Sequence, residues 1–216
     1  YSENFKISTT QLKTTSVNLY DVAGVLKRAA DATSSDALKI SVSYKGALTA
    51  ANLAAITTPE SFLTNRQSKT YFVGQQGDEV ADYSENFKTS PSHLKGVSVN
   101  FYEGGLRAVE ATTDDALRTT ANFSKNFDLS SIAAVTLTTL TERKSVTELL
   151  GEQGEEIADH TKNYKKSTDI LRGVSVNFYE GGVRALEATT DDALRTTVNF
   201  SKNFDLNGIA AVTLAT

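Results

Sequence analysis

An internal repeat constrains this chain more than any other feature. Residues 96–139 reappear at 173–216, displaced by 77 positions, and only six of the 44 aligned residues differ. A period near 80 exceeds the roughly 20–50 residues of a solenoid unit. Each copy is therefore expected to form a small domain rather than a single hairpin, and the copies should be built alike.

A more distant copy lies at the front of the chain. The peptide YSENFK occurs at 1–6 and again at 83–88, a shift of 82, whereas DALK at 36–39 matches DALR with a shift of 79. The first copy therefore carries three extra residues around Val22–Val25. We divide the chain into repeat one at 1–82, repeat two at 83–159 and repeat three at 160–216, the last of which lacks the C-terminal segment of repeat two.

The spacing of apolar residues favours helices. In repeat one, small or apolar residues follow at alternating intervals of four and three: Leu12, Ser16, Leu19, Ala23, Leu26 and Ala30. Segment 144–166 has the spacing of one helical face, and Ser145 followed by Glu148 is a capping-box pattern. These patterns predict an all-α protein, a tandem repeat of three helical units of about 80 residues packed like a helical bundle.

A second assignment competes with the helical one. Residues 97–101, VSVNF, alternate with period two, which is typical of a strand. Strands at VSVNF and AVTLTT, with Gly104-Gly105 as a turn, would give an α+β repeat unit. The all-helical assignment is favoured because repeat one keeps helical spacing through the segment that aligns with VSVNF.

The chain offers little material for catalysis or metal binding. It has no cysteine, and its two histidines, His93 and His160, occupy different positions of the repeat. A functional histidine should recur in near-identical copies, so we expect both at the surface and predict no catalytic residue and no metal site. The acid pairs Asp114-Asp115 and Asp191-Asp192 lack calcium-loop spacing and are predicted to cap helices, as is Asp128.

The aromatic and glycine motifs also favour a structural role. Eight aromatic residues recur in the two closest copies and are predicted to pack in the core: Phe101, Tyr102, Phe123, Phe127, Phe178, Tyr179, Phe200 and Phe204. A slot for a pigment or lipid is the alternative, although no cofactor is predicted and cofactor-binding residues stay unknown. No phosphate-loop or nucleophile-elbow spacing occurs, so we expect a protein that is not an enzyme.

One pair of differences between the copies suggests packing. Leu106 and Val109 of repeat two become Val183 and Leu186 in repeat three. The double exchange conserves apolar volume at two positions three residues apart, which share a helix face. It predicts that all four side chains are buried.

Charge and composition bound the partners and the location. The formal net charge is −4 with both signs interspersed, so nucleic acid is not an expected partner. No apolar stretch approaches the roughly 18–20 residues needed to cross a bilayer, so no membrane insertion is expected. The chain lacks methionine altogether. Processing of a targeting peptide would explain this, so an exported or organelle-lumen protein is expected.

Tandem copies favour interaction over catalysis, because repeated binding faces increase avidity. We therefore expect a non-enzymatic structural or assembly protein that links protein partners through repeated helical units. A processed, acidic chain without Met, Cys or Trp, and expected to be helical, resembles extrinsic subunits on the lumenal face of photosynthetic membrane complexes. An extrinsic accessory subunit of a large membrane complex is thus the second interpretation. A helical module that binds a small molecule or pigment is the third.

Overall fold

The computed structural model describes residues 1–5, 10–88 and 93–214, and the described chain is mainly β-structure. It contains twelve strands, and the strand pairs are antiparallel. The α-helical part of the described chain is one helix of six residues, accompanied by short 3-10 turns. The prediction of an all-α helical bundle is therefore wrong, and the α+β alternative also assigned too much helix.

The strands follow one another with short helical turns in the longer connections. Their bounds are β1 Ser2–Phe5, β2 Leu12–Val22, β3 Val25–Arg28, β4 Leu38–Lys45, β5 Arg66–Val73, β6 Val80–Phe87, β7 Leu94–Tyr102, β8 Leu117–Ser124, β9 Arg143–Leu150, β10 Ile157–Tyr164, β11 Leu171–Tyr179 and β12 Leu194–Ser201. The α-helix is α1, Ala50–Ala55. The 3-10 helices are Ala29–Asp31, Glu103–Gly105, Leu129–Ala134, Glu180–Gly182 and Leu206–Ala211.

The chain divides into two compact units. Unit one is Tyr1–Ser98 and unit two is Val99–Thr216, with the boundary inside β7. Within unit one the strand order is β1-β2-β4-β5-β6-β7, with β3 paired to β2, and within unit two it is β7-β8-β9-β10-β11-β12. Apart from β3, strands that follow one another in sequence lie side by side. The division into three repeats at 82/83 and 159/160 stays a prediction from sequence.

The segment with the clearest helical spacing, Leu12 to Ala30, forms β2, β3 and the start of the 3-10 helix Ala29–Asp31. Thr15, Val17 and Leu19 are buried and the residues between them are not, which is the alternation of a strand. Between the strands, Ala23 and Gly24 have positive φ angles of 53° and 81°, as a two-residue hairpin turn requires. The extra residues of repeat one therefore lie in this hairpin and do not lengthen a helix.

The second predicted helix, 144–166, is the β9–β10 hairpin, and Ser145 lies inside a strand. Gly151 at its turn has φ of 122°, and a Cβ atom there would lie 2.4 Å from the Glu155 carbonyl oxygen. Gly74 has the same role in the β5–β6 hairpin, where a Cβ would lie 2.1 Å from the Asp78 oxygen. Only glycine fits these two positions, and both turns interrupt any helix.

One face of each unit's strands is covered by the chain's own connections. In unit one the fully buried strand residues Val17, Leu19 and Val42 form the core with Ile56, which follows α1. In unit two Val174, Val176 and Phe178 are covered by residues of the segment that follows β12, among them Ile209 and Val212. Removing this apolar surface from water is the main stabilising contribution to the fold.

The predicted core role of the recurring aromatics is confirmed. Six of the side chains are buried: Phe101, Tyr102, Phe123, Phe127, Phe178 and Tyr179. The remaining two, Phe200 and Phe204, are partly buried against the last core cluster, and their ring centroids lie 4.4 Å apart. Their recurrence therefore reflects the same core built in successive copies.

The predicted burial of the exchanged aliphatic pair is wrong. Val109 is 73% exposed and Leu186 is 80% exposed, whereas Leu106 and Val183 are only partly buried. These residues follow the strands, in turns where residues three apart do not share a helix face. The exchange therefore occurs where packing places little constraint on volume.

The second member of each acid pair stabilises a turn instead of capping a helix. A carboxylate oxygen of Asp115 accepts from the Thr112 backbone N–H at 2.7 Å and from its hydroxyl at 2.9 Å. Asp192 accepts the same pair of hydrogen bonds from Thr189. These bonds, first of all the backbone bond, lower the pKa of both carboxyl groups. Asp128 does cap a short helix, because its side chain accepts from the Ser130 N–H at the start of Leu129–Ala134.

The glycine pairs also lie in turns. Gly104 and Gly105 have φ of 72° and 78°, in agreement with the alternative that placed a turn there. Gly181 and Gly182 repeat these values closely. Among the described residues, no helix is long and apolar enough to cross a membrane.

Candidate functional site on the polar face of the sheet

The face of the strands opposite the core carries rows of Ser, Thr and Asn side chains. We call them the polar rows. In unit one, row one consists of register neighbours on β2, β4, β5 and β6: Asn18, Ser41, Thr70 and Ser84. In unit two, row two crosses β8 to β12: Thr120, Thr147, Thr161, Ser175 and Asn199. Each row joins small polar side chains at the strand spacing of about 4.8 Å.

The same side-chain hydrogen bond recurs in all three sequence repeats. A hydroxyl on β4, β8 or β12 donates to an asparagine oxygen on the strand it pairs with, β2, β7 or β11. The three bonds are Ser41 to Asn18 at 2.8 Å, Thr120 to Asn100 at 3.3 Å and Thr197 to Asn177 at 3.0 Å. A hydroxyl pair joins the next strands: Thr70 with Ser84 and Thr147 with Thr161, each at 2.9 Å.

The hydrogen bonds between members of a row hold those side chains in defined conformations, and the bonds of Asn100 and Asn177 lie on the same polar face beside row two. Paired hydroxyl and amide groups lose rotamer freedom before any partner arrives, so binding would cost less entropy. Most members of both rows are half-buried, and Asn199 is exposed. Each hydroxyl and amide keeps further donor or acceptor capacity for a ligand. The rows were missed in the sequence, although Ser and Asn alternate with Val in VSVN, and that alternation was the available signal.

Unit one contains a charge cluster on the core face, in which Lys69, Arg66 and Glu85 are buried and Glu60 is exposed. The Lys69 ammonium lies 2.6 Å from a carboxylate oxygen of Glu60 and 3.1 Å from one of Glu85. The side chains of Lys69 and Glu85 are 6% and 7% exposed. Arg66 also contacts Glu60 at 2.9 Å, and its guanidinium lies 4.0 Å from the centre of the Phe87 ring. Burial opposes ionisation of Glu60, but the two cations outweigh it and lower its pKa.

Two tyrosines extend this cluster. The Tyr71 hydroxyl donates to Glu85 at 2.6 Å, and its ring stacks on Tyr83 with centroids 4.3 Å apart. Burial and then the Glu85 carboxylate raise the pKa of Tyr71, while burial and the neighbouring Tyr71 raise the pKa of Tyr83. Burial also raises the pKa of Tyr44 to about 12. Tyr71 and Tyr44 serve as hydrogen-bond donors, the latter to the Phe62 carbonyl at 3.2 Å.

Unit two contains a different cluster around Asp159. Its carboxylate binds the Arg184 guanidinium through two contacts of 2.8 and 2.5 Å and lies 2.8 Å from Nδ1 of His160. Burial opposes ionisation of Asp159, but the hydrogen bonds from His160 and Arg184 outweigh it and lower its pKa. Arg184 also donates to the Ile209 carbonyl at 2.7 Å. The Asp159–Arg184 ion pair therefore holds the segment that follows β12 against the strands. The cluster therefore has a structural role that its geometry explains.

The two histidines lie in different environments. His93 is exposed, as predicted, but His160 is buried, so the prediction that both lie at the surface is wrong for His160. The ring Nε2 of His160 is buried without a hydrogen-bond partner. Its register neighbours on the two adjacent strands are Glu148 and Val176. Neither of these neighbours supplies the hydroxyl or thiol that an acid–histidine pair would activate.

The part of the chain that the structure describes contains no group of three or more His, Asp or Glu residues arranged to hold a metal ion. Asp115 and Asp192 accept hydrogen bonds within turns, and the recurring aromatic side chains pack in the core. The recurring surface that neither the core nor a turn accounts for is the set of polar rows. We therefore take the polar rows as the candidate functional site.

Comparisons with known proteins do not add a family assignment. The sequence matches no protein-family model, and it matches no curated protein and no solved structure. The functional argument therefore depends on the residues and their geometry.

Proposed function

We propose that the protein is a non-enzymatic structural or assembly protein that binds its partner through the polar rows. The observation that supports this proposal is the hydrogen bond between asparagine and a hydroxyl that recurs in every repeat. Core packing does not require this bond, because it lies on the face opposite the buried residues. Its recurrence preserves one surface chemistry along the chain.

The chemistry of the rows indicates the class of partner. Hydroxyl and amide groups are neutral, so they select a partner by hydrogen bonding rather than by charge. Their spacing of about 4.8 Å between strands matches a partner with hydrogen-bonding groups at a regular short interval, such as an extended polymer or a repeated protein surface. Several weak contacts of this kind combine through avidity into a stable association.

Lysine substitutions in the rows test the proposal on the full chain. The partner is first captured from the native source on the immobilised protein, and its binding is then measured by surface plasmon resonance. Ser41→Lys in row one and Thr147→Lys in row two should each weaken binding about tenfold. The double variant should lose binding further, because both rows contribute to the same association.

The matched control is Thr64→Lys, at an exposed position between α1 and β5 and outside the polar rows. It should bind like the unmodified chain, and circular dichroism should show the same strand content in all variants. Binding that is unchanged in the row variants, or lost equally in Thr64→Lys, would contradict the proposal.

A further inference from the structure

Unit one contains a polar cavity at the ends of β2, β4 and β5. Its volume is about 470 Å³, within the range of roughly 300–1,000 Å³ that small-molecule sites have. Its polar lining consists of Asp21, Ser35, Lys39, Gln75, Gln76 and the Gly74 backbone. Each of these three strands is paired on both sides, so the cavity does not depend on an unpaired strand edge.

Two opposite charges line the cavity without contacting each other. Asp21 and Lys39 are half-buried, and within the described residues no ion pair joins them. One carboxylate oxygen of Asp21 accepts from the Gly24 N–H at 2.7 Å, and the Lys39 ammonium donates to the Gly74 carbonyl at 2.8 Å. The second carboxylate oxygen and two ammonium protons therefore keep hydrogen-bonding capacity for a ligand.

The other two repeats close the same position with their own side chains. A glutamate takes the place of Asp21 and an arginine takes the place of Lys39. The two residues form an ion pair in both repeats: Glu103–Arg118 at 3.5 Å and Glu180–Arg195 at 3.0 Å. Aspartate and lysine are each shorter than these counterparts, and in unit one the position is left without an internal ion pair.

The charge around this position is also different in repeat one. Ser35 corresponds to Asp114 of repeat two, and Gln75 corresponds to Glu152. Repeat one thus has exposed neutral hydrogen-bonding groups where repeat two has acids. The lining of the cavity carries one negative and one positive charge, and these charges are balanced but not joined to each other.

We propose that this cavity binds a small zwitterion, such as an amino acid, with its ammonium group at Asp21 and its carboxylate at Lys39. The ligand's cation takes the role of the arginine in the other repeats, and its anion takes the role of the glutamate. Hydrogen bonds of this kind, between ionised groups, are stronger than those between neutral groups. The amides of Gln75 and Gln76 supply further donors and acceptors.

The charge balance of the lining determines selectivity. A simple anion would leave Asp21 without a partner, and a simple cation would leave Lys39 without one. A ligand that carries both charges satisfies both groups at once, which discriminates against molecules with a single charge. No residue of this lining is a member of either polar row, so failure of this proposal would not affect the partner binding proposed above.

A series of zwitterions tests the cavity on the full chain. Glycine, β-alanine, γ-aminobutyrate and δ-aminovalerate carry the same two charges at increasing separation. Titrated at pH 7 into the ¹⁵N-labelled protein, at least one of them should shift the backbone amides of Lys39 and Gly74–Gln76 in a saturable way. Butyrate and butylammonium, with one charge each, should bind at least about tenfold more weakly than the best zwitterion.

Substitutions then assign the two charges. Asp21→Asn and Lys39→Gln should each weaken binding of the best zwitterion at least about tenfold, because each removes one charged partner. Asp21→Glu combined with Lys39→Arg keeps both charges but recreates the ion pair of the other repeats, so it should lose binding to a similar degree. Circular dichroism should show unchanged strand content in all of these variants.

The matched control is Asp78→Asn, at an exposed position of the same β5–β6 turn and outside the lining. It should bind the zwitterion like the unmodified chain. Saturable binding that both single substitutions and the double variant weaken supports the proposal. Equal binding of the single-charge probes or of neutral glucose, unchanged binding in the double variant, or no saturable shift with any of the four zwitterions overturns it.

Discussion

The β5–β6 and β9–β10 hairpins have the same backbone design but different side chains toward the core. Both contain a turn of the form Gly-x-Gln-Gly, and their strands correspond with a shift of 77 residues. In the first hairpin Lys69 lies across from Glu85, and Tyr71 lies across from Tyr83. In the second hairpin Val146 takes the place of Lys69 and lies across from Lys162, which takes the place of Glu85. Glu148 takes the place of Tyr71 and lies across from His160, which takes the place of Tyr83.

In the second hairpin the cation Lys162 therefore takes the position of Glu85 and the anion Glu148 takes the position of Tyr71, so the ion pair joins different positions and lies at a different depth. Lys69 and Glu85 are almost fully buried, whereas Lys162 and Glu148, at 3.1 Å, are 24% and 31% exposed. A buried pair is costly to break because the remaining charge has no solvent, and an exposed pair contributes little. Two copies with the same fold thus depend on their charges to different degrees.

The largest expected effect is the loss of the buried cation. Lys69→Met should lower the free energy of unfolding by about 3–5 kcal/mol, because it leaves Glu85 buried without its charge partner. Lys162→Met, the matched change in the second hairpin, should cost less than about 1 kcal/mol. Urea denaturation of both variants measures the difference. Equal losses would contradict the comparison.

Asp159 is expected to have the next largest effect, and its effect depends on pH. Asp159→Asn should destabilise unit two by about 3 kcal/mol at pH 7, because Arg184 loses its buried partner. The pKa of Asp159 is lowered in the folded state, so its stabilisation is present above about pH 4 and is lost as the pH falls through the folded-state pKa. Denaturation at pH 7 and pH 3 should show the gap closing.

The control for this prediction is Asp191→Asn, at an exposed position of the same unit. It should change stability by less than about 0.5 kcal/mol at either pH. A gap between Asp159→Asn and the unmodified protein that widens in acid would contradict the assigned direction.

Exchange of the whole side-chain set sharpens the comparison. Lys69→Val alone should destabilise the first hairpin in the same way as the methionine variant. Adding the changes Tyr71→Glu, Tyr83→His and Glu85→Lys should restore roughly half of the loss, about 2 kcal/mol, because the four residues then match the second hairpin. Additive losses in urea denaturation would show that each set depends on surroundings outside its hairpin.

The smallest effect concerns the buried phenol. Tyr71→Phe should cost about 1 kcal/mol through loss of the 2.6 Å hydrogen bond to Glu85. The folded state raises the pKa of Tyr71, so its stabilising contribution is complete below about pH 10 and is lost as the pH rises. Urea denaturation at increasing pH should therefore show the stability gap between Tyr71→Phe and the unmodified chain narrowing above about pH 10.

The repeat and the core role of the aromatic residues were readable from the sequence, whereas the turn at Gly104-Gly105 was part only of the α+β alternative. The strands were misread because their buried positions include Thr15, which weakens the apolar alternation in β2 and leaves a spacing that also fits a helix. The glycines at 151 and 154 were the stronger signal, since two glycines in four residues mark a turn. Counting them as breakers would have divided segment 144–166 correctly.

The charge clusters could not be read from the sequence in the same way. Burial of Lys69 becomes favourable only when Glu60 and Glu85, which lie 9 and 16 positions away, reach its ammonium group. That requires the strand register, which the chain encodes through long-range pairing rather than local pattern. The polar rows were partly readable from the sequence. The alternation of Ser, Val and Asn within a strand is a local pattern, but the alignment of these residues across strands depends on the strand register.

The strand order also bears on how such a chain can change in length. With the exception of β3, each strand pairs with its neighbours in sequence, so the insertion or loss of 77 residues adds or removes four consecutive strands. The only contacts that must be remade are those along a single strand boundary, between strands that already recur elsewhere in the chain. A duplication in the gene would therefore yield a foldable product at once, and the near identity of 96–139 and 173–216 is the trace that such an event would leave.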